Sequence, residues 1–203
     1  YIPPPYILKN KNMTKEEALA ITAKFDINFE YIFYPAQFWY QKNHLRLLEA
    51  IYILKKNYDL KVNLVLAGKD SGSKIYDSVK RMIVKKINEL EISDQVKILG
   101  YVEQIETVAL YKRSIALISP AIQVPTTIPP LEAIALGIPF LTVNLPEIPE
   151  QTKHSGIYFN PFSSEDIANS IRRIWTDFEL RKEICEKIKR LSNEFSEEKY
   201  AKN

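Results

Sequence analysis

The chain has 203 residues, which is enough for one large domain or two small ones with a substantial core. With 46% hydrophobic and 26% charged residues it is typical of a soluble globular protein, and its net charge of +3 is too small to predict binding to nucleic acid. The single cysteine, Cys185, rules out an internal disulfide and suits a reducing cytoplasm, and no apolar run approaches the roughly 20 residues that span a membrane.

The first 30 residues differ in pattern from the rest of the chain. Residues 1–13 are linker-like, without an initiator Met or the pattern of a signal peptide. Thr14 and Glu17 have the spacing of a capping box, which predicts a helix that begins after Thr14. We therefore expect residues 1–30 to be a linker and helix from a missing N-terminal domain, and residues 31–203 to form one domain.

Short apolar runs alternate with amphipathic helical patterns from residue 31 onward. The predicted strands are 31–35, 62–68, 96–100, 115–120, 140–143 and 157–160. The predicted helices are 43–57, 73–90, 103–113, 129–136, 146–152, 163–176 and 177–194, with a capping box at 163–166. Strands that alternate with helices predict an α/β, doubly wound domain with a six-stranded parallel sheet. Its ligand is expected beyond the carboxyl ends of the strands, where the strand order reverses.

The five glycines are too scattered for two common phosphate sites. They lie at positions 68, 72, 100, 137 and 156. A dinucleotide fingerprint or a P-loop needs several glycines within a few residues, because the backbone must close on the phosphates. The sequence therefore excludes an NAD-dependent dehydrogenase and an ordinary kinase.

A proline-rich segment offers another phosphate site. Pro129 and Pro130 open a predicted helix, since proline at a first helical position costs no hydrogen bond, and Thr126 or Thr127 can cap it. The N-terminus of this helix would direct free N–H groups and partial positive charge at the switch point, which suits a diphosphate. Alternatively, an ordinary helix that begins with proline and binds no ligand would show the same local features. Gly137 is predicted to end the helix in the left-handed conformation.

Five blocks of the sequence resemble glycosyltransferase family 4: YPAQFWYQKNHLRLLEA, VNLVLAGKD, VKILGYV, ISPA…IPPLEAIALGIPFLTVNLPEIPEQ and GIYFNPFSSEDIANSI. The resemblance covers about residues 31–199 and is to the C-terminal, donor-binding, Rossmann-like half of these GT-B enzymes. It implies a retaining enzyme without a cofactor that moves a sugar from a donor of UDP or GDP type to a saccharide or lipid-linked acceptor. The acceptor would bind the missing half, so we expect this chain alone to bind a nucleotide sugar weakly and to transfer nothing.

The resemblance assigns the donor site residue by residue. Lys42 matches a lysine that contacts the diphosphate, and Glu132 matches a glutamate that holds the ribose; these two are the expected catalytic residues. An arginine that usually precedes the lysine is replaced, most nearly by Gln37. The expected diphosphate and sugar contacts are Lys42, Thr126, Thr127, Ile128, Pro130 and Leu131, and the expected base contacts are Gly100, Tyr101 and Val102.

Val124 is the clearest departure from the family. It occupies the position of a glutamate directed at the donor sugar, and the Gly-Phe-Gly that usually follows reads Pro125, Thr126, Thr127. Threonine hydroxyls and backbone amides could replace the carboxylate, as the similar loop of a family subgroup suggests. Alternatively, the domain is catalytically inactive and serves as a nucleotide-sugar-binding or regulatory domain.

The loop after the first strand carries several other candidates. Phe38 and Trp39 are expected to pack more than to bind a ligand. Asn43 is expected to cap the following helix, and His44 to assist that cap or, alternatively, to contact phosphate. Tyr101, on a separate loop, could stack on a base or pack as a half-buried tyrosine.

The sequence also bears on metals and on other enzyme classes. No Asp-x-Asp occurs, and no His/Cys cluster has metal-ligand spacing, so we expect a metal-independent site. With only two histidines, His44 and His154, a sugar-nucleotide epimerase or a phosphorylase is a poorer match.

We expect a cytoplasmic protein of polysaccharide or glycoconjugate assembly, either in solution or peripherally bound at the inner membrane face.

Overall fold

The strands form one parallel sheet. The computed structural model describes residue 7 and residues 9–69, 74–123 and 128–192, and of residues 74–77 only the backbone. The strands are β1 Ile32–Pro35, β2 Leu64–Ala67, β3 Val96–Gly100, β4 Ala116–Ser119, β5 Phe140–Val143 and β6 Ile157–Phe159. They lie in the order β3-β2-β1-β4-β5-β6, and each neighbouring pair is parallel. This confirms the predicted doubly wound α/β fold.

Helices cover the sheet and connect its strands. Their bounds are α1 Lys15–Thr22, α2 His44–Tyr58, α3 Lys74–Glu89, α4 Gln104–Arg113, α5 Ile128–Leu136, α6 Ile148–Gln151, α7 Ser164–Thr176 and α8 Phe178–Ser192. Short 3-10 turns lie at Ala23–Phe25 and Tyr40–Lys42. Helix α2 packs on α3 and α7, whereas α5 packs on α4 and α8. No helix in the described ranges combines the length and apolarity that crossing a bilayer requires.

The core explains why the strands read as continuous apolar runs. Every residue of β2, β4 and β5 is buried, because these strands have a neighbour on each side and helices on both faces. In β3, at one edge of the sheet, each residue is only half-buried. β2 and β4 have four residues each, so they are shorter than the predicted 62–68 and 115–120.

Of the two capping boxes and the glycine stop that the sequence predicts, two are confirmed. The capping box joins Thr14 and Glu17 at the start of α1, with each side chain accepting from the other residue's backbone N–H. Gly137 follows α5 with φ 73°, and its N–H and that of Ile138 donate to the carbonyls of Ile134 and Ala133. These two bonds form a Schellman motif that ends the helix abruptly before β5.

The third predicted signal, a capping box at the start of α7, is only half formed. The Ser163 hydroxyl accepts from the backbone N–H of Asp166, as expected. The Asp166 carboxylate does not return to the backbone of Ser163 but accepts from the N–H of Asn160, at 2.6 Å. The side chain therefore stabilises the turn after β6 instead of the first turn of the helix.

Candidate functional site at the carboxyl edge of the sheet

A cleft of about 560 Å³ opens at the carboxyl edge of the sheet. It lies beside the point where the strand order reverses, between β1 and β4, which is the usual ligand site of doubly wound folds. The loops after β1, β2 and β3 and the start of α5 contribute to it. Its lining residues are Pro35, Ala36, Gln37, Trp39, Lys42, Ala67, Gly68, Lys69, Tyr101, Val102, Thr107, Ile128, Pro129 and Glu132.

Lys42 is the half-buried cation of this cleft. It ends the 3-10 turn Tyr40–Lys42, and its carbonyl accepts a 2.8 Å hydrogen bond from the buried hydroxyl of Tyr34. Burial lowers the pKa of the Lys42 ammonium. No carboxylate in the described ranges makes an ion pair with it. A desolvated cation without a paired carboxylate is well suited to bind an anionic ligand.

Asn43 fixes the loop that carries Lys42, and it does so by a different route from the predicted cap. It occupies the N-cap position of α2 in the left-handed conformation, with φ 60°, but its side chain makes no capping hydrogen bond. Instead its amide donates to the carbonyls of Pro120, at 3.0 Å, and Pro161, at 2.8 Å. The loops after β1, β4 and β6 are thereby joined at one buried amide.

His44 does not assist a cap either. It is buried at the start of α2, and neither ring nitrogen has a hydrogen-bond partner among the residues that the structure describes. The ring packs on Tyr34 and Phe38, with centroid distances of 4.9 and 5.4 Å. Burial, and secondarily the positive charge of Lys42, lower the pKa of His44 from 6.5 to about 3. The imidazole is therefore a neutral packing group at physiological pH.

We expect the buried His44 to make the protein sensitive to acid. Its folded-state pKa lies below that of the unfolded chain, so its contribution to stability is complete above about pH 6.5 and is lost as the pH falls toward 3. At pH 5 the loss is about 2 kcal/mol. Denaturant titrations at pH 7 and pH 5 should show that His44→Leu loses about 2 kcal/mol less than the wild type between these pH values. An identical loss in both proteins would contradict this assignment.

Glu132 also lines the cleft, from the second turn of α5. It is only 6% exposed, and its carboxylate accepts a 2.9 Å hydrogen bond from the hydroxyl of Tyr111 on α4. The Tyr111 ring is buried and meets Phe33 of β1 edge-on, at 5.3 Å. Sequence reasoning missed Tyr111, because a tyrosine within an amphipathic helix gives the same signal as any core aromatic.

The tip of α5 presents fewer amides than the sequence interpretation supposed. The helix begins at Ile128, and Pro129 and Pro130 in its first turn carry no N–H. Ile128 and Pro129 line the cleft, whereas Pro130 and Leu131 are buried and lie outside its lining. Within the described residues the tip thus offers the N–H of Ile128 and the positive end of the helix dipole. The predicted contacts at Thr126 and Thr127, like Val124 and Pro125, fall outside the described residues.

Of the remaining predicted residues, Tyr101, Val102 and Trp39 line the cleft, whereas Gly100 and Phe38 are not among its lining residues. Tyr101 and Val102 line it beyond β3, and the Tyr101 side chain is 61% exposed, so it does not pack as a structural tyrosine. Gly100 ends β3 with φ 71° and accepts from the N–H of Gly68. Trp39 lines the cleft and Phe38 beside it is buried. In the described ranges no group of acidic, His or Cys side chains is placed to hold a metal ion.

Comparisons with known proteins agree with this architecture. The O-antigen chain mannosyltransferase RfbU of Salmonella typhimurium is 31% identical over 97 residues, which are 48% of this chain and 26% of that protein. The uncharacterized glycosyltransferase MJ1607 of Methanocaldococcus jannaschii is 27% identical over 161 residues, which are 78% of this chain and 39% of that protein. The chain thus spans less than half the length of these relatives.

Solved structures share the fold. A glycosyltransferase from Rickettsia africae superimposes with a TM-score of 0.78 at 22% identity, over 96% of this chain and 51% of that one. Anabaena Alr3699/HepE, solved in complex with UDP and glucose, gives 0.75 at 14% identity, over 91% of this chain and 49% of that one. A family model for group 1 glycosyl transferases matches residues 17–191. The chain therefore belongs to the group 1 glycosyltransferases.

Proposed function

We propose that the chain is the donor-binding half of a retaining glycosyltransferase that moves a sugar from a nucleoside diphosphate sugar to a saccharide or glycoconjugate acceptor. The observation that carries the proposal is that Lys42 and Glu132, from separate elements, line one cleft at the carboxyl edge of the sheet. Family membership supports the same class of donor. A UDP or GDP sugar would lie with its diphosphate near Lys42 and its base toward Tyr101 and Val102.

The chemistry that this cleft could support is stabilisation of a leaving group. Sugar transfer breaks an anomeric C–O bond through an oxocarbenium-like state, and negative charge grows on the departing diphosphate. The Lys42 ammonium and the positive end of the α5 dipole would face that charge before the bond breaks, which is the arrangement that lowers such a barrier. We propose that these groups suffice without a metal ion, since the sequence has no Asp-x-Asp.

Glu132 would bind the ribose. Its carboxylate can accept hydrogen bonds from two neighbouring hydroxyls, and the Tyr111 hydroxyl already fixes one of its oxygens. Because the group is buried and held by Tyr111, it would meet the ribose in a fixed orientation, which suits a ligand with vicinal hydroxyls.

Val124 supports a second candidate function. Without a carboxylate at that position, the domain would bind a nucleotide sugar and not turn it over. Transfer by a longer chain that includes this domain, measured with a donor that the domain binds, separates the two candidates. No transfer despite donor binding would favour the inactive domain.

We also propose that the acceptor is bound by a further domain, because the relatives are more than twice as long as the regions they share with this chain. The isolated chain would then bind a donor and transfer nothing. A saccharide or lipid-linked acceptor would place the whole protein in the cytoplasm or at the inner face of the membrane.

Binding of nucleotides tests the proposed function. We expect at least one of UDP, GDP and ADP to raise the thermal unfolding midpoint, since a ligand at 100 times its dissociation constant adds about 2.7 kcal/mol of stability. Glu132→Gln should reduce this shift. His154→Ala should not, because the ring of His154 is exposed and bonds to Glu150 outside the cleft. No shift with any of the three nucleotides, in a folded sample, would refute donor binding.

A further inference from the structure

Lys69 is a second cation of the cleft that neither the motifs nor the proposed mechanism uses. It directly follows β2 and Gly68, and its exposed side chain lines the same cleft as Lys42 and Glu132. No carboxylate in the described ranges forms an ion pair with it. Its charge is therefore not neutralised by any carboxylate that the structure describes.

The backbone before Lys69 is packed against the loop that leads to Lys42. The N–H of Ala36 donates to Ala67 and the N–H of Gly68 donates to Gly100, each at 2.8 Å. A Cβ added at Gly68 would overlap the carbonyl oxygen of Ala36 and would lie 3.1 Å from Cα of Gln37. The two lysines thus stand on neighbouring loops whose backbones touch, and those loops follow the adjacent strands β1 and β2.

The negative charge of the proposed ligand would be better balanced by two cations than by one. A diphosphate carries at least two negative charges, and the tip of α5 has lost two amide donors to Pro129 and Pro130. We propose that Lys69 supplies the second positive charge for the diphosphate and makes the site prefer nucleoside diphosphates over monophosphates. This inference rests on the proposed function and assigns Lys69 a binding and specificity role within it.

The exposure of Lys69 predicts how its contribution differs from that of Lys42. A lysine on a flexible stem at the mouth of a cleft acts as a point charge, and salt screens it strongly. The half-buried ammonium of Lys42 is screened less. The contribution of Lys69 should therefore decline as ionic strength rises, whereas a purely structural role of the side chain would show no such dependence.

Calorimetric titration of UDP, GDP and ADP, each beside its monophosphate, tests the inference. For the diphosphate that binds, we expect Lys69→Ala to weaken affinity about fivefold at low salt, as for an exposed charge pair, and to affect the monophosphate less. In about 0.5 M salt the difference from the wild type should largely disappear. Lys69→Arg should retain most of the affinity. Lys85→Ala, which removes an exposed lysine of α3 outside the cleft, is the matched control.

The outcomes separate this inference from the proposed function. If the wild type binds a nucleoside diphosphate and Lys69→Ala binds it as Lys85→Ala does, Lys69 has no role and donor binding stands. Equal weakening of diphosphate and monophosphate, or a loss that salt does not reduce, would also overturn the inference. If the wild type binds no nucleoside diphosphate, the proposed function and this inference both fail.

Discussion

Lys42→Ala should weaken the binding of a nucleoside diphosphate by about 30-fold or more, the equivalent of one strong charge-assisted hydrogen bond. The ammonium is half-buried, its pKa is lowered by burial, and no described carboxylate neutralises it. An anionic ligand would therefore supply the counter-charge that the described residues around this ammonium do not provide. The Asn43 amide, bonded to Pro120 and Pro161, holds the loop in place, so removing the ammonium should leave the fold intact.

The measurement is calorimetric titration of the diphosphate into Lys42→Ala, Lys42→Arg and a control. Lys61→Ala is a suitable control, because Lys61 lies just before β2 at the opposite edge of the sheet and pairs with Asp94 in solvent. We expect Lys42→Arg to restore only part of the affinity, since a planar guanidinium does not fit a site built for a compact ammonium. If Lys42→Ala and Lys61→Ala bind alike, Lys42 does not contact the diphosphate.

The fold was predictable because its signals are local and repeated. Continuous apolar runs marked strands with helices on both faces, and Thr14, Glu17 and Gly137 marked the ends of helices through hydrogen bonds a few residues long. The alternation of strands and helices, with the preference for right-handed crossovers, predicted the parallel sheet but not the order of its strands, which the structure supplies. Where the prediction failed, as at Ser163 to Asp166, the competing partner was the nearby backbone N–H of Asn160, which the spacing rule does not include.

The site was less predictable because its contacts are distant in sequence. The spacing of Asn43 suggested a helix cap, but its amide acceptors belong to Pro120 and Pro161, on loops that only the fold brings together. In the sequence Tyr111 gives the same signal as any core aromatic, and only the structure shows that its hydroxyl donates a hydrogen bond to Glu132. Lys42 and Glu132 were identified through family resemblance, and Lys69, to which the resemblance assigned no role, through the geometry of the cleft.

Gly68 lines the cleft directly after β2, and its neighbours leave no space for a side chain. Its Cβ would overlap the carbonyl oxygen of Ala36 and come within 2.8 Å of the carbonyl carbon. Neither backbone can easily move away, because Ala36 donates to Ala67 and Gly68 donates to Gly100 within the sheet. Unlike Gly100, Gly68 is not among the glycines with positive φ, so its requirement for glycine is one of space and not of backbone conformation.

We therefore expect Gly68→Ala to lower the free energy of unfolding by about 3 kcal/mol or more, the upper range for overpacking in a rigid site. Gly100→Ala is the matched control: its φ is 71°, but its Cβ would meet no atom of the described residues within 4 Å. That change should cost only about 1 to 2 kcal/mol, the strain of a left-handed alanine. Denaturant titration of the two variants shows directly which substitution lowers the free energy of unfolding more. If Gly100→Ala proved the more damaging, the loops after β1 and β2 would not touch as described, and the placement of Lys69 beside the Lys42 loop would lose its support.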